Sequence, residues 1–318
     1  MENLTTLTSI VHNNPAGMSL LDYLCKRFPY KTENGWVESI NAGQVVINGK
    51  ITTPDQNLVF KDTVSYTSQR NEPAVATNIE TLFEDEHILV VNKPAPLPVH
   101  ADGIFIINTL IYIIRQRTGN QNLSLGHRLD RDTTGILVLA KDKKITTKLM
   151  AKFEESATEK WYLAVARGEV DFPEKLIRGW MGPKSASQIR IRQHLIDQKT
   201  EGYKESATRF LLQERLKSYS LLACEMLSGR TNQIRVHLEA VGFPLAGDKL
   251  YGRTDEEFLR YLNHFKKTGT MNDGSEEHPR HLLHAWKLSM SHPVTGERMQ
   301  WEAPMPRDMC EFIKQNQS

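Results

Sequence analysis

The sequence predicts an α+β protein in two parts: a small α+β domain in front of a large domain built on a mixed, mostly antiparallel sheet with flanking helices. Strand-like and helix-like stretches alternate without a strict βαβ rhythm, which argues against a doubly wound parallel sheet. An Asn48-Gly49 pair between short apolar runs marks a hairpin near the start. A polar stretch with a proline, Ser68 to Asn78, then separates the first part from the rest, and 318 residues exceed what one core usually holds.

Residues 1–13 show little apolar periodicity and run into Asn13, Asn14 and Pro15, so they read as a tail. The small domain spans 14–70. Ser19 ahead of Leu20, Leu21, Leu24 and Phe28 is a capped helix, and Trp36, Val37 and Ile40 mark a second one. Q-V-V-I-N-G-K-I at 44–51 is a hairpin, and Leu58, Val59, Val64 and Tyr66 supply one or two more strands. Residues 71–78 are the linker and 79–318 the large domain.

Within the large domain, Ile88 to Asn92 is a buried strand, Ile104 to Arg117 a helix closed by Gly119, and Gly135 to Ala140 a second buried strand. Lys143 to Glu154 is a polar-faced helix. Trp161 to Val165 and Leu221 to Met226 are strands, and Asn232 to Val241 is a helix ending at Gly242.

Composition excludes several classes. Apolar residues make up 39% and charged residues 25%, and 40 basic against 38 acidic side chains leave a net charge of +2, so disorder, collagen and coiled coil are out and a nucleic-acid partner would need a local patch. Three scattered cysteines form no knuckle or short loop and favour a reducing compartment. The first residues lack a basic, apolar leader, and the longest apolar run, 104–114, is too short to span a bilayer, so a cytoplasmic protein outside the membrane is expected.

The densest polar cluster is G-H-R-L-D-R-D-T-T-G at 126–135, just before an apolar strand; charges there need partners, although Asp130 and Asp132 also suit a charged turn. In G-R-T-N-Q-I-R-V-H at 229–237, Arg230, Gln233 and backbone amides would converge on a phosphate or carboxylate, while Arg235 projects elsewhere. Between Lys175 and Lys217 ten basic residues face four acidic ones, and Q-I-R-I-R-Q-H would put Arg190 and Arg192 on one strand face as a phosphate track, or simply on a solvated hairpin. His278, His281 and His284 lack accompanying carboxylates or cysteines in a ligand pattern, so no metal is expected, and no dinucleotide or Walker motif suggests a cofactor.

H-R-L-D-R-D-T-T-G-I-L-V-L-A-K at 127–141 resembles the signature of the RluA-type pseudouridine synthases. V-N-K-P-A-P-L-P-V-H at 91–100, K-W-Y-L-A-V-A-R-G at 160–168, G-R-T-N-Q-I-R-V-H through G-D-K-L-Y-G at 229–252 and L-H-A-W-K-L-S-M-S-H-P-V-T-G-E at 283–297 follow in the family's order. The front domain resembles, more faintly, an RNA-binding domain shared with a ribosomal small-subunit protein.

The resemblance implies an RNA isomerase needing no cofactor, with ribosomal or transfer RNA as partner. It implies that Asp130 is catalytic, that Arg235 is its cationic partner and that Tyr162 stacks on the uracil and handles a proton. A flipped-out target base leaves a gap that Arg128 would fill, the alternative being a plain ion-pair role for it, with His127, Lys160, Arg230, Gln233, Arg190 and Arg192 completing the RNA and substrate contacts, His127 by orienting the loop through hydrogen bonds. Thr134 stands where serine is usual, Ala101-Asp102-Gly103 where P-S-G is common, and Asn232 where histidine is usual, at a place expected to touch none of the three catalytic residues. A non-catalytic RNA-binding or ribosome-assembly factor is the rival that keeps the same shape.

Overall fold

The computed structural model describes residues 4–12, 17–69, 72–155, 157–268, 270 and 277–317, in two compact units, 1–71 and 72–318. Asn13, Asn14 and Pro15, and Asn71 at the start of the expected linker, lie outside the described residues.

Unit 1 is a four-stranded antiparallel sheet with two helices. In chain order it comprises β1 (Leu4–Ile10), α1 (Leu20–Arg27), α2 (Glu33–Asn41), β2 (Val45–Ile47), β3 (Lys50–Ile51) and β4 (Thr63–Gln69), with sheet order β1-β4-β2-β3. The expected tail is corrected: residues 4–10 pair along their whole length with β4, Leu4 opposite Gln69 and Ile10 opposite Thr63. Its Thr and Ser residues give no apolar alternation, yet Thr6 and Thr8 bond across the pair to Thr67 and Ser65. Ser19 caps α1 by accepting from the Asp22 amide, and Asn48 and Gly49, both at positive φ, close the β2–β3 hairpin. Leu20, Leu24, Trp36, Ile40, Val45 and Val64 form the core.

Unit 2 contains β5 (Glu80–Glu84), β6 (Ile88–Lys93), α3 (Leu110–Thr118), β7 (Ser124–Leu125), β8 (Thr134–Ala140), α4 (Lys143–Glu154), β9 (Glu159–Arg167), β10 (Glu174–Pro183), β11 (Gln193–Ile196), β12 (Lys204–Arg215), β13 (Tyr219–Met226), α5 (Gln233–Ala240), α6 (Asp255–Thr268), β14 (Leu283–Ser291), β15 (Arg298–Glu302) and α7 (Arg307–Gln315). Its 11-stranded sheet runs β11-β10-β12-β13-β9-β14-β8-β6-β5, with β15 on β14 and β7 on β8. Among the described residues only β8 and β14 pair in parallel, His284 opposite Thr134 and Ala285 opposite Gly135.

β8 is buried on both faces, which explains its unbroken I-L-V-L-A run. Ile136, Val138 and Ala140 pack with Ile145 and Leu149 of α4, while Leu137 and Leu139 pack with Leu110 and Ile114 of α3. Gly135 sits at φ 108, where an added Cβ would lie 2.2 Å from the Ala285 carbonyl oxygen; only glycine lets the two strands approach this closely.

The helix expected over 104–117 begins only at Leu110, capped by Thr109. Its apolar front segment is a loop because Asp102 and Phe105 bond to each other and the Glu72 carboxylate accepts from the amides of Ile107 and Asn108. An apolar run alone does not distinguish the two conformations. No helix among the described residues is long and apolar enough to cross a membrane.

Candidate active site

The loop from Gly126 to Thr133 carries the densest polar cluster into the end of β8, and partners grip it from two sides. Fully buried Lys93, at the end of β6, donates from Nζ to the carbonyls of Pro94, Leu97 and Arg131 at 2.9–3.0 Å. Arg131 forks onto Asp132, Nε to Oδ1 at 2.8 Å and Nη2 to Oδ2 at 3.0 Å, and this cation holds the buried Asp132 carboxyl well below the usual range against the pull of desolvation. From the β14 side, Arg280 Nη1 donates to the Asp132 carbonyl, His281 Nε2 lies 2.7 Å from Thr133 Oγ1, and His284 Nδ1 lies 2.9 Å from Thr134 Oγ1. The loop is thus fixed before any substrate arrives.

Asp130 is the member of this loop aimed at Arg235. Its Oδ2 accepts from Arg235 Nη1 at 2.7 Å, and its side chain remains 34% exposed against 10% for the arginine. Arg235 reaches it because α5 starts directly beneath, and its guanidinium is itself held by Asp248, Nε to Oδ2 at 2.7 Å and Nη2 to Oδ1 at 2.8 Å. Asp248 has no exposure, and Oδ1 also accepts from the amides of Leu250 and Tyr251. Burial would raise its pKa, but Arg235 and the amides bring it to about 2. The Tyr251 ring lies 4.9 Å from the guanidinium carbon of Arg235. One buried arginine therefore bridges two carboxylates, an inner one wholly enclosed and an outer one facing a cavity.

That cavity, about 390 Å³ and open to solvent, is lined by Arg128, Asp130, Tyr162, Asn232, Arg235 and Leu283 among others. Tyr162 on β9 is 8% exposed; burial first, and the Asp130 charge second, push its phenol up, so it stays protonated at neutral pH. Arg128 is exposed on the rim with no hydrogen-bond or ion-pair partner among the described residues, so the plain ion-pair role is not what holds it there. Arg230 also lines the cavity and donates from Nε to the Glu205 carbonyl. Lys160 donates to the Phe153 carbonyl, with its pKa lowered by burial and by Arg230.

Several expected contacts are corrected. His127 faces inward: its Nε2 accepts from the Val138 amide at 3.2 Å and its ring stacks 4.2 Å from Phe153, so it orients the loop, and burial brings its pKa to about 3. Gln233 is 2% exposed and its amide group is occupied, donating to the Ala207 carbonyl and Thr208 Oγ1 and accepting from the Arg230 amide and Ser228 Oγ. It joins α5 to β12 instead of binding an anion. Arg190 and Arg192 do not share a strand face. Arg190 is exposed in a turn, whereas Arg192 is 3% exposed, paired with Asp255 and donating to the carbonyls of Leu250 and Arg253. His281 lies just ahead of β14 and His284 within it. Asn232 does touch one of the three residues expected to be catalytic, because its Oδ1 accepts from Arg235 Nη1 at 3.1 Å. Among the described residues no group of three His, Cys, Asp or Glu side chains is arranged to hold a metal.

Asp248 was not singled out from the sequence. Its only trace there is the G-D-K-L-Y-G segment, and nothing in that spelling says that the loop folds back onto a helix residue thirteen positions earlier.

The cavity thus presents a carboxylate held by a buried cation beside a largely buried, protonated tyrosine. The family model described as RNA pseudouridylate synthase matches residues 87–240. Ribosomal large subunit pseudouridine synthase C of Escherichia coli K12 is 34% identical over 84% of this chain and 82% of its own. Ribosomal large subunit pseudouridine synthase D of Nitrosomonas europaea is 29% identical over 98% of this chain and 88% of its own. The solved structure of human RNA pseudouridylate synthase domain containing 4 superposes with a TM-score of 0.57 at 25% identity, covering 74% of this chain and 92% of that one. The chain belongs to the RNA pseudouridine synthase family, and its activity is that of an isomerase acting on RNA.

Proposed function

We propose that this protein converts uridine to pseudouridine in large-subunit ribosomal RNA, with Asp130 as the carboxylate that carries the reaction. The reaction breaks the bond between the uracil nitrogen and the ribose, turns the base and rejoins it through carbon, so atoms balance without a co-reactant. It needs an ionised acid at the sugar or base. The 2.7 Å contact between Arg235 and Asp130 is the observation that carries the reading, because it fixes a carboxylate against a buried cation at the wall of an open cavity.

Tyr162, protonated and next to the cavity, is suited to stack under the extruded uracil; a proton leaving the carbon would pass by way of its hydroxyl to a stronger base. Arg128 has the free guanidinium needed to fill the gap left in the RNA stack. Arg230 and Lys160 supply positive charge at the same mouth, and Arg190 is exposed for a phosphate further along.

The choice of ribosomal RNA is supported by relatives of that name; one of them aligns over nearly the whole chain, unit 1 included, and we read that unit as an RNA-binding module. A cytoplasmic location follows from such a substrate. The test is to map pseudouridine in cellular RNA with and without the protein and with Asp130→Asn, which removes the charge at almost constant shape. One or a few sites in large-subunit RNA should disappear in both the deletion and the variant. Unchanged modification with Asp130→Asn would reject the assignment.

A further inference from the structure

Asn232 opens α5 at φ 59 and ψ 20, a left-handed conformation that asparagine tolerates better than most residues. An asparagine at a helix start ordinarily accepts a bond from an amide of the first turn. This one makes no such cap bond, and its side chain is committed to the site instead. Oδ1 accepts from Arg235 Nη1 at 3.1 Å, and Nδ2 donates to the Tyr251 hydroxyl at 3.1 Å. The Tyr251 hydroxyl is anchored a second time by the Gln193 amide at 3.2 Å, and its ring lies against the Arg235 guanidinium.

A guanidinium has five N–H donors. In Arg235, Nε and Nη2 each donate to Asp248, and Nη1 donates to both Asp130 and Asn232. Asp248 fixes the inner edge of the guanidinium and Tyr251 its face. Asn232 occupies the second donor direction of the nitrogen that meets the reacting acid, and it lines the cavity where Asp248 and Tyr251 do not. A neutral acceptor can do this without placing a second negative charge beside Asp130, which a carboxylate at the same place could not.

We infer that Asn232 is a positioning residue, which aims Arg235 Nη1 at Asp130 by taking up that nitrogen's other hydrogen while leaning on Tyr251. The inference rests on reading Asp130 and Arg235 as the reacting pair. Besides Arg235, Lys93 from β6, Tyr162 from β9 and His281 ahead of β14 act electrostatically on Asp130, Arg128 and Arg230 line the same cavity, and Arg131 and Asp132 follow it on its own loop. None of these is altered in the variants used to read pH dependence.

The experiment follows pseudouridine formation on RNA isolated from cells lacking the protein. It compares the intact wild-type chain with Asn232→Ala, Asn232→Asp, Tyr251→Phe, the Asn232→Ala/Tyr251→Phe double variant and Asp130→Asn, each with a melting temperature. Asn232→Ala should lower kcat by about ten- to a hundredfold with KM held within about twofold, the mark of lost alignment and not of lost binding. Asn232→Asp should move the acid limb of the kcat profile to higher pH by about one unit, because a like charge disfavours ionised Asp130. Asn232→Ala and Tyr251→Phe should be non-additive, since they act through one arrangement.

Wild-type kcat in Asn232→Ala, an effect confined to KM, an unmoved acid limb in Asn232→Asp or full additivity would each overturn the positioning role. Asp130→Asn separates the two levels: an active Asp130→Asn enzyme rejects the reacting pair and this inference with it, whereas an inactive one beside unaffected Asn232 variants rejects the inference alone.

Discussion

Arg235 is the residue on which the proposed chemistry turns, and its placement depends on Asp248, which lies outside the cavity. Asp248 is wholly buried, so Asp248→Asn takes one of the four acceptor oxygens from the cation together with its buried counter-charge. Removing one member of a buried pair typically costs about 3–5 kcal/mol, and a guanidinium free to tilt costs about 10²-fold in rate. Asp248→Asn should therefore lose both melting temperature and kcat, by thermal unfolding and initial rates, even though it lies outside the cavity. Asp130, Tyr162 and Arg235 were legible because they stand in long family-like strings, and the structure brings them to one cavity. Gln233 and Arg192 were misread for one reason: a polar residue in a basic or helix-opening segment looks available until the burial of its neighbours is known, and both are spent on backbone carbonyls. Asp248 is missed and the contact of Asn232 misjudged because their partner is defined by how a loop returns, which spelling does not encode.

At the level of elements, punctuation proved more readable than pairing. Ser19, the Asn48-Gly49 turn and Gly119 marked ends that the backbone observes, since each acts on its immediate neighbours. β1 was invisible because a threonine-rich edge strand carries no apolar alternation, and the start of α3 was misplaced because a distant carboxylate, Glu72, claims two amides. Gly135 is where an element's geometry rests on a single atom. Gly135→Ala forces a Cβ to within 2.2 Å of the Ala285 oxygen at a φ of 108, and should cost about 1–3 kcal/mol or more in urea unfolding. Gly119→Ala, at φ 71 with open space around it, should cost only the left-handed backbone penalty of about 1–2 kcal/mol. Equal effects would mean that contact between β8 and β14 is not what the glycine serves.

For the whole molecule, acid is the expected weakness. Burial holds His237, His281 and His284 neutral, each with its pKa lowered to about 4. In the unfolded chain they would take up protons near 6.5, so between about pH 6.5 and 4 the unfolded state binds more protons and stability falls as pH falls. Asp248, at about 2 in the folded protein against an ordinary value near 3.8, extends the same trend below pH 4. Melting temperature should drop steadily from pH 7.5 to pH 4; a flat profile would show that these imidazoles are protonated in the folded state. Division into two parts was readable from the polar stretch and the size of the chain, whereas the parallel pairing of β8 with β14 was not, since nothing local joins positions 150 residues apart.

That pairing sets a timetable for the protein's birth on the ribosome. The acid-bearing loop is synthesised about 150 residues ahead of its far brace of Arg280, His281, Leu283 and His284. Until that strand docks, Thr133 and Thr134 have no imidazoles to hold them, and the cavity lacks a wall. A chain that stops short of this strand should accordingly be inactive, which an assay of a product ending ahead of Arg280 would check.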